Sequence, residues 1–237
     1  MSICCVLFDL DGTLLPMDLN LFFKAYFGGL AKKLAPLGYD GETLLRSIWK
    51  GTGAMIQNDG AVMNEVRFWD SMHEDYGARI DEALPYFDDF YANEFELVRQ
   101  VCGFNPKAAE TVRALKAQGF TVALATQPAF PAVATRSRIR WAGLEPEEFA
   151  LITSFENSRH CKPNVEYYRD VANALGMDPS ECLMVGNDIS DDMPAADIGM
   201  KVFLLTDCLI AKEGESAEDY PHGGFAELMA YIDSLKD

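Results

Sequence analysis

The stretch ICCVLFDLDGT, residues 3–13, decides the fold of this protein. Its first six residues are apolar, which is typical of a short strand buried on both faces at the centre of a parallel sheet. The run stops at Asp9, and a second carboxylate, Asp11, precedes Gly12, where the missing side chain lets the chain turn sharply. Ligands of open parallel sheets bind beyond the carboxyl ends of the strands, so these carboxylates are the first candidates for chemistry.

Helical spacing replaces the strand pattern between about residues 17 and 101. The clearest amphipathic series is Leu19, Phe22, Phe23, Tyr26, Phe27, Leu30 and Leu34. We expect the glycine-containing segments 51–53 and 58–60 to be joints between the helices. The segment is therefore predicted to be an all-helical insert, joined to the rest of the chain near residues 15–17 and 101–105.

From about residue 105 onward, helical and strand patterns alternate. The predicted strands lie at 120–125, 151–153, 182–185 and 202–205. Such alternation favours right-handed crossovers and a doubly wound parallel sheet. We therefore predict an α/β fold, in which a Rossmann-like core of residues 1–16 and 102–237 carries an inserted helical cap of residues 17–101.

The composition of the chain limits the kinds of partner that it is expected to bind. The chain has 237 residues and a net charge of −17, and so acidic a surface disfavours binding to nucleic acid or to anionic membranes. The apolar run at 3–8 is too short for a signal peptide or a membrane span. The six cysteines form no CxxC pair, which favours reduced thiols and a cytoplasmic protein. Monomer and homodimer both remain open.

Polar residues follow several predicted strands and converge on one edge of the sheet. They are Asp9, Asp11, Thr126, Gln127 and the segment GNDISDD at 186–192, with Lys162 at the start of a helix. Crowded carboxylates repel each other and call for a cation. An all-oxygen site of this kind suits Mg²⁺, which completes its shell with water and a substrate phosphate.

The segment FDLDGTL, residues 8–14, resembles the first motif of the haloacid dehalogenase-like hydrolases. Thr126, Lys162 and the 186–192 segment follow in the order of that family's other motifs, and the helical insert resembles a cap at the family's first cap position. The resemblance implies a Mg²⁺-dependent phosphatase that hydrolyses a small phosphorylated metabolite through an aspartyl-phosphate.

The resemblance also implies catalytic roles. Asp9 is expected to be the nucleophile, and Asp11 is expected to protonate the leaving oxygen and later to deprotonate water. Thr126 is expected to hydrogen-bond the phosphoryl group. Lys162 is expected to neutralise charge on Asp9 and on the phosphate.

Further residues are assigned to the substrate and to the metal. Gly12, Thr13 and Gln127 are expected to bind the substrate near its phosphoryl group. Lys50, beside segment 51–53, is expected to contact the far end of the substrate. The expected metal residues are Asp9, Asp11 through its main-chain carbonyl, Asp188 and Asp192.

Two positions depart from the family pattern. Asn187 stands where an acid commonly follows the glycine of the last motif, so Asn187, Asp188 and Asp192 compete for the metal. We prefer Asp188 as the direct ligand, with Asp192 behind it or holding Lys162. Gln127 replaces a common asparagine but still offers an amide donor.

Other functions share these features. A phosphomutase has the same motifs, and a non-catalytic binding module keeps the same fold. A phosphonate hydrolase needs a cap lysine that forms a Schiff base, for which the candidates are Lys24, Lys32, Lys33 and Lys50. Dehalogenases carry an aromatic residue at the position of Asp11, so dehalogenation is disfavoured. The alternating arginines at 136, 138 and 140 are interpreted as a solvated helix face.

Overall fold

The structure, a computed structural model, describes residues 3–235. Its sheet has five parallel strands in the order β2-β1-β3-β4-β5. The strands are β1 (Cys5–Phe8), β2 (Thr121–Leu124), β3 (Cys182–Gly186), β4 (Lys201–Leu205) and β5 (His222–Gly223). The helices are α1 (Leu19–Leu34), α2 (Gly41–Ile56), α3 (Asn64–Tyr76), α4 (Arg79–Ala92), α5 (Pro106–Ala117), α6 (Ala132–Trp141), α7 (Val165–Leu175), α8 (Ile189–Asp192) and α9 (Phe225–Ser234). The predicted doubly wound α/β fold is confirmed.

Strand β1 is buried on both faces, as its apolar run predicts. Val6 and Phe8 pack into the larger core cluster, which includes α5 and α9. Cys5 and Leu7 point the other way, into a second cluster that includes residues of α7. The same alternation in neighbouring strands places helices on both sides of the sheet.

The register of the sheet aligns three strand ends. Phe8, the last residue of β1, pairs with Leu124 of β2 and with Val185 of β3. The residues that follow these strands therefore emerge at one edge. This alignment brings Asp9, Thr126 and the 186–192 segment into a common site.

The insert between β1 and β2 begins with helices α1 to α4 and a 3₁₀ segment, Glu94–Val101. Its two connections run side by side: Met17 and Cys102 form an antiparallel bridge, and Gly103 N–H donates to the Pro16 carbonyl at 2.7 Å. The chain thus enters and leaves the insert near residues 17 and 102, where the joints were expected. The exact division into cap and core domains stays a prediction.

The expected joint at 51–53 is wrong, because α2 continues through these residues to Ile56. Tertiary packing explains the glycine there. A Cβ on Gly51 would lie 2.8 Å from the Phe68 ring, so glycine permits α2 and α3 to approach closely. The loop between these helices comes later, at 57–63.

Segment 151–153 contributes a single bridge, Leu124 to Ile152, rather than the strand that was predicted. The two-residue strand β5 was not foreseen, because such a short element leaves no apolar run in the sequence. Within residues 3–235, none of the helices has the length and apolar character needed to cross a bilayer.

Candidate active site

A buried lysine, Lys162, lies between two carboxylates at the end of β1. Lys162 Nζ donates to Asp9 Oδ1 at 2.9 Å and to Asp192 Oδ1 at 2.7 Å, and its side chain is 1% exposed. Burial disfavours the charged ammonium, but the carboxylates of Asp192 and Asp9 outweigh that effect and raise the pKa of Lys162 well above its ordinary value. Lys162 therefore remains a cation beside Asp9, as its expected role requires.

Asp192 is a direct partner of Lys162. Its second oxygen, Oδ2, accepts from the Asp188 main-chain N–H at 3.0 Å, so both oxygens are used within the protein. Gly186 makes this packing possible, since a Cβ there would lie 2.0 Å from Asp192 Oδ2. The expected contact of Asp192 with Lys162 is observed, and its assignment to the metal stays a prediction.

Thr13 and Asn187 brace the other side of Asp9. Thr13 Oγ1 lies 2.9 Å from Asn187 Oδ1 and 3.3 Å from Asp9 Oδ2, and Asn187 Nδ2 donates to the Cys208 carbonyl at 2.7 Å. Gly12 adopts φ +87°, and a Cβ there would lie 2.4 Å from Asn187 Nδ2. The expected turn at Gly12 is confirmed, but Gly12 and Thr13 support Asp9 and do not line the cavity described below.

Gln127 forms hydrogen bonds to the main chain of Lys162 on both sides of its amide side chain. Its Oε1 accepts from Lys162 N–H at 3.1 Å, and its Nε2 donates to the Lys162 carbonyl at 3.0 Å. Nε2 also lies 3.3 Å from Asp191 Oδ2. These contacts give Gln127 a positioning role, and the residue also lines the cavity in which its substrate contact was expected. Thr126, 1% exposed, lines the cavity as expected.

Arg138 was missed by sequence reasoning. Its side chain is fully buried and forms an ion pair with Asp11, which corrects the interpretation of a solvated arginine. The guanidinium also lies over the Phe130 ring, 4.3 Å from its centroid. Helical periodicity could have indicated that Arg138 is buried, because positions 136 and 140 share one face of α6 and position 138 lies opposite them.

Asp11 is held by this arginine at the floor of the site. Burial raises the pKa of Asp11 and Asp9 adds to the rise, whereas Arg138 opposes it. One oxygen, Oδ2, meets Arg138, and the other, Oδ1, is buried without a hydrogen-bond partner. The raised pKa favours the protonated carboxyl group that a proton donor needs.

The charge balance at this edge suits a divalent cation. Five carboxylates line the cavity floor: Asp9, Asp11, Asp188, Asp191 and Asp192. The buried cations Lys162 and Arg138 pair with three of them, while within residues 3–235 Asp188 and Asp191 form no ion pair. Burial raises the pKa of Asp188, and its neighbour Asp191 raises it further. The crowding expected from the sequence is thus present.

A metal here would need more than side chains. In the described part of the chain, no three acidic, imidazole or thiol groups converge closely enough to hold an ion by themselves. Mg²⁺ commonly takes one or two carboxylates and fills its shell with water, carbonyl and phosphate oxygens. The donor set around Asp9 and Asp188 fits that ion.

Lys50 is not part of this site. Its ammonium pairs with Glu74 at 3.0 Å and with Asp75 at 2.7 Å, and it does not line the cavity. The adjacent Trp49 faces the cavity instead, because successive residues of a helix point about 100° apart. In this structure Lys50 thus lies apart from the cavity in which its contact with substrate was expected.

A cavity of about 660 Å³ lies above the carboxylates, between the insert and the sheet. The start of α3 closes one side: Asn64 N–H donates to the Ser158 carbonyl at 2.8 Å, and Glu65 N–H donates to the Phe155 carbonyl at 2.9 Å. Its walls are mainly apolar. The volume matches that of a small-molecule site.

Fold and site together place this protein among the α/β proteins whose ligand sites lie at the carboxyl edge of a doubly wound parallel sheet. More narrowly, it belongs to the haloacid dehalogenase-like hydrolases, whose family model matches residues 3–198. The family predicted from the motifs is thereby confirmed.

The individual proteins that match this chain are about one quarter identical to it. A bifunctional riboflavin kinase/FMN phosphatase of Arabidopsis thaliana is 26% identical over 205 residues, which are 85% of this chain and 48% of that protein. Pyrophosphatase PpaX of Bacillus cereus strain AH820 is 27% identical over 202 residues, 85% of this chain and 82% of that protein. The chain thus spans about half the length of the plant relative.

Among solved structures, a 2-haloacid dehalogenase from Pseudomonas syringae pv. tomato DC3000 matches with a TM-score of 0.63. The match covers 98% of this chain and 99% of that one at 21% identity. At such an identity the likeness concerns the fold, and the chemistry has to be argued from the site.

Proposed function

We propose that this protein is a Mg²⁺-dependent phosphatase that hydrolyses phosphate monoesters of a small metabolite through an aspartyl-phosphate on Asp9. One observation carries the proposal: the Lys162 ammonium is buried between Asp9 and Asp192 at the floor of the cavity. A fixed cation there lowers the charge repulsion between the Asp9 carboxylate and an incoming phosphate.

The reaction has two displacements. Asp9 attacks phosphorus through a carboxylate oxygen, the bond from phosphorus to the ester oxygen breaks, and Asp11 gives that oxygen its proton. Asp11 then removes a proton from water, which attacks phosphorus and releases Asp9 and phosphate. Burial raises the pKa of Asp11, which favours the protonated form that the first displacement needs.

The expected metal residues are Asp9, the main-chain carbonyl of Asp11 and Asp188, with Asp191 nearby. When bound, Mg²⁺ would offset the negative charge of the phosphoryl oxygens. Asp188 keeps its place because its Oδ1 accepts from the main-chain N–H groups of Ser190 and Asp191, at 2.8 and 3.1 Å.

Two lines of support come from outside the site. Two of the relatives are named as phosphatases, one as an FMN phosphatase and the other as a pyrophosphatase. In addition, a phosphonate hydrolase would need a lysine of the insert in the cavity. Among residues 3–235, Lys162 is the only lysine that lines the cavity, and it does not belong to the insert. Dehalogenation remains disfavoured by the carboxylate at position 11.

The test is phosphate release from a panel of small phosphate esters, with and without Mg²⁺. We expect Mg²⁺-dependent release that is lost in Asp9→Asn, because an amide cannot form the acyl-phosphate. Asp197→Asn, an exposed carboxylate outside the cavity, is the matched control and should retain activity. Full turnover by Asp9→Asn would overturn the proposal, and conversion of a sugar phosphate to its isomer without free phosphate would favour a mutase.

A further inference from the structure

The cavity has two chemically different parts. Its floor holds the carboxylates and Lys162, where the phosphoryl group is expected to react. Ten aromatic residues line the cavity, and eight of them belong to helices α1 to α4 of the insert. The insert thus surrounds the leaving group of the substrate mostly with rings.

Three of these rings form a cluster that faces the open volume. Trp49 lies 5.1 Å from Phe23 and 5.4 Å from Phe27, centroid to centroid, and the two phenylalanines are 5.8 Å apart. Trp49 is 45% exposed although it is large and apolar. Such exposure within a concave wall is typical of a ligand-binding surface. We call these three residues the ring cluster.

The charged side chains above the floor are all acidic. They are Glu65, Asp88 and Glu156. Over residues 3–235, Lys162 is the only basic residue in the lining, and it is already shared by Asp9 and Asp192. The next buried cation, Arg138, is paired with Asp11.

One of the acidic groups of the upper cavity, Glu156, is held in place by hydrogen bonds. Both oxygens of Glu156 lie within 3.0 Å of the Ala132 N–H and cap the start of α6. Burial raises the pKa of Glu65, and the neighbouring Glu156 raises it further. The carboxylates of this wall give it a negative potential, and no basic residue of the described lining lies beside them. A second anionic group on the substrate would enter this potential unpaired.

We propose that the alcohol part of the substrate is a bulky, ring-bearing group that carries no anionic charge of its own. The inference rests on the proposed phosphatase function and narrows its substrate class. Rings of the alcohol would stack on the ring cluster. A cationic alcohol is also favoured, by the faces of the rings and by the acidic side chains. Carboxylate-bearing esters and pyrophosphate would bind poorly.

The experiment compares four esters with Mg²⁺ present: ethyl phosphate, benzyl phosphate, 4-carboxybenzyl phosphate and 4-(trimethylammonio)benzyl phosphate. The three benzyl esters share one leaving-group type and differ mainly in charge. We expect kcat/KM for the benzyl ester to exceed that for the ethyl ester by about tenfold. The carboxybenzyl ester should fall about tenfold below the benzyl ester, and the ammonium ester should equal or exceed it.

The outcomes separate the two proposals. Equal or faster hydrolysis of the carboxybenzyl ester, or equal hydrolysis of the ethyl and benzyl esters, overturns the substrate inference and leaves the phosphatase intact. Hydrolysis of none of the esters by folded protein overturns the phosphatase proposal, and the inference with it.

Variants test the two features directly. Trp49→Ala should reduce the benzyl-to-ethyl ratio of kcat/KM about fivefold or more, because it removes the most exposed ring of the cluster. Glu65→Gln should raise the carboxybenzyl-to-benzyl ratio several-fold. Tyr86→Ala, an exposed aromatic residue of α4 outside the cavity, should keep both ratios at wild-type values. Unchanged ratios in both Trp49→Ala and Glu65→Gln would contradict the inference.

Discussion

The guanidinium of Arg138 forms an ion pair with the Asp11 carboxylate, and the arginine has no exposed surface. Phe130 lies on the guanidinium face, and the main-chain carbonyl of Ala134 accepts from Arg138 Nε at 3.4 Å. Asp11 is the residue expected to handle the proton. An arginine of α6 thus holds the carboxylate that follows β1, which is the one proposed to handle the proton.

This pairing predicts a large loss of stability on breaking it. Arg138→Met leaves the Asp11 carboxylate buried without its cation and should lower the free energy of unfolding by about 3 kcal/mol. Urea unfolding measures the change. Arg136→Met, on the exposed face of the same helix, is the matched control and should change little.

A double variant tests whether the pair itself is responsible. Arg138→Met combined with Asp11→Asn removes both charges, so its loss should be clearly smaller than the sum of the single losses. Strict additivity would show that the two residues stabilise the fold independently.

Gly12→Ala is expected to damage the site as well as the backbone. Any side chain at φ +87° costs about 1–2 kcal/mol, and here the new Cβ also meets the Asn187 amide. Displaced Asn187 would release Thr13 from its place beside Asp9, so phosphate release should fall about tenfold or more.

Gly119→Ala separates these two effects. Gly119 has φ +90°, and a Cβ there meets no atom within 4 Å. It should therefore lose stability to a similar extent and retain activity. If activity fell equally in Gly12→Ala and Gly119→Ala, backbone strain alone would explain the loss.

Metal dependence should distinguish the competing acids of the last motif. Asp188→Asn removes an expected ligand and should raise the half-saturating Mg²⁺ concentration about tenfold or more. Asp192→Asn weakens the hold on Lys162 instead, so turnover should fall while half-saturation stays near the wild-type value. Activity titrations with Mg²⁺ measure both, and a shift in Asp192→Asn alone would reverse the assignment.

Lys50→Ala should leave kcat and KM unchanged for each of the four esters. The side chain pairs with Glu74 and Asp75 outside the cavity, where solvent screens the charges. Steady-state kinetics beside wild type are sufficient. A rise in KM would restore Lys50 to the substrate site.

Much of the site was predictable because the end of each strand can be located from the sequence. Each catalytic candidate follows directly after a strand or opens a helix, and a parallel register aligns those ends, as Phe8, Leu124 and Val185 show. Apolar runs decide the strands, since burial on both faces needs uninterrupted hydrophobicity. The order of the motifs then led to the family.

Side-chain partners across elements were not predictable in the same way. Lys50 and Arg138 are both basic residues on helices, and only packing decides that one is paired at the surface and the other is buried against Asp11. The helix through Gly51 is a similar case. Glycine is a poor helix former in isolation, but close contact with Phe68 outweighs that preference.

The sequence by itself determined the α/β class, the helical insert, the family and the carboxylates at the ends of the strands, because these depend on periodicity and on residues adjacent in the chain. Only the tertiary structure decided that Asp192 serves Lys162, that Gln127 clamps it, and that the upper cavity is aromatic and acidic. These features depend on the distances between side chains far apart in sequence, and burial and hydrogen bonding set those distances during folding.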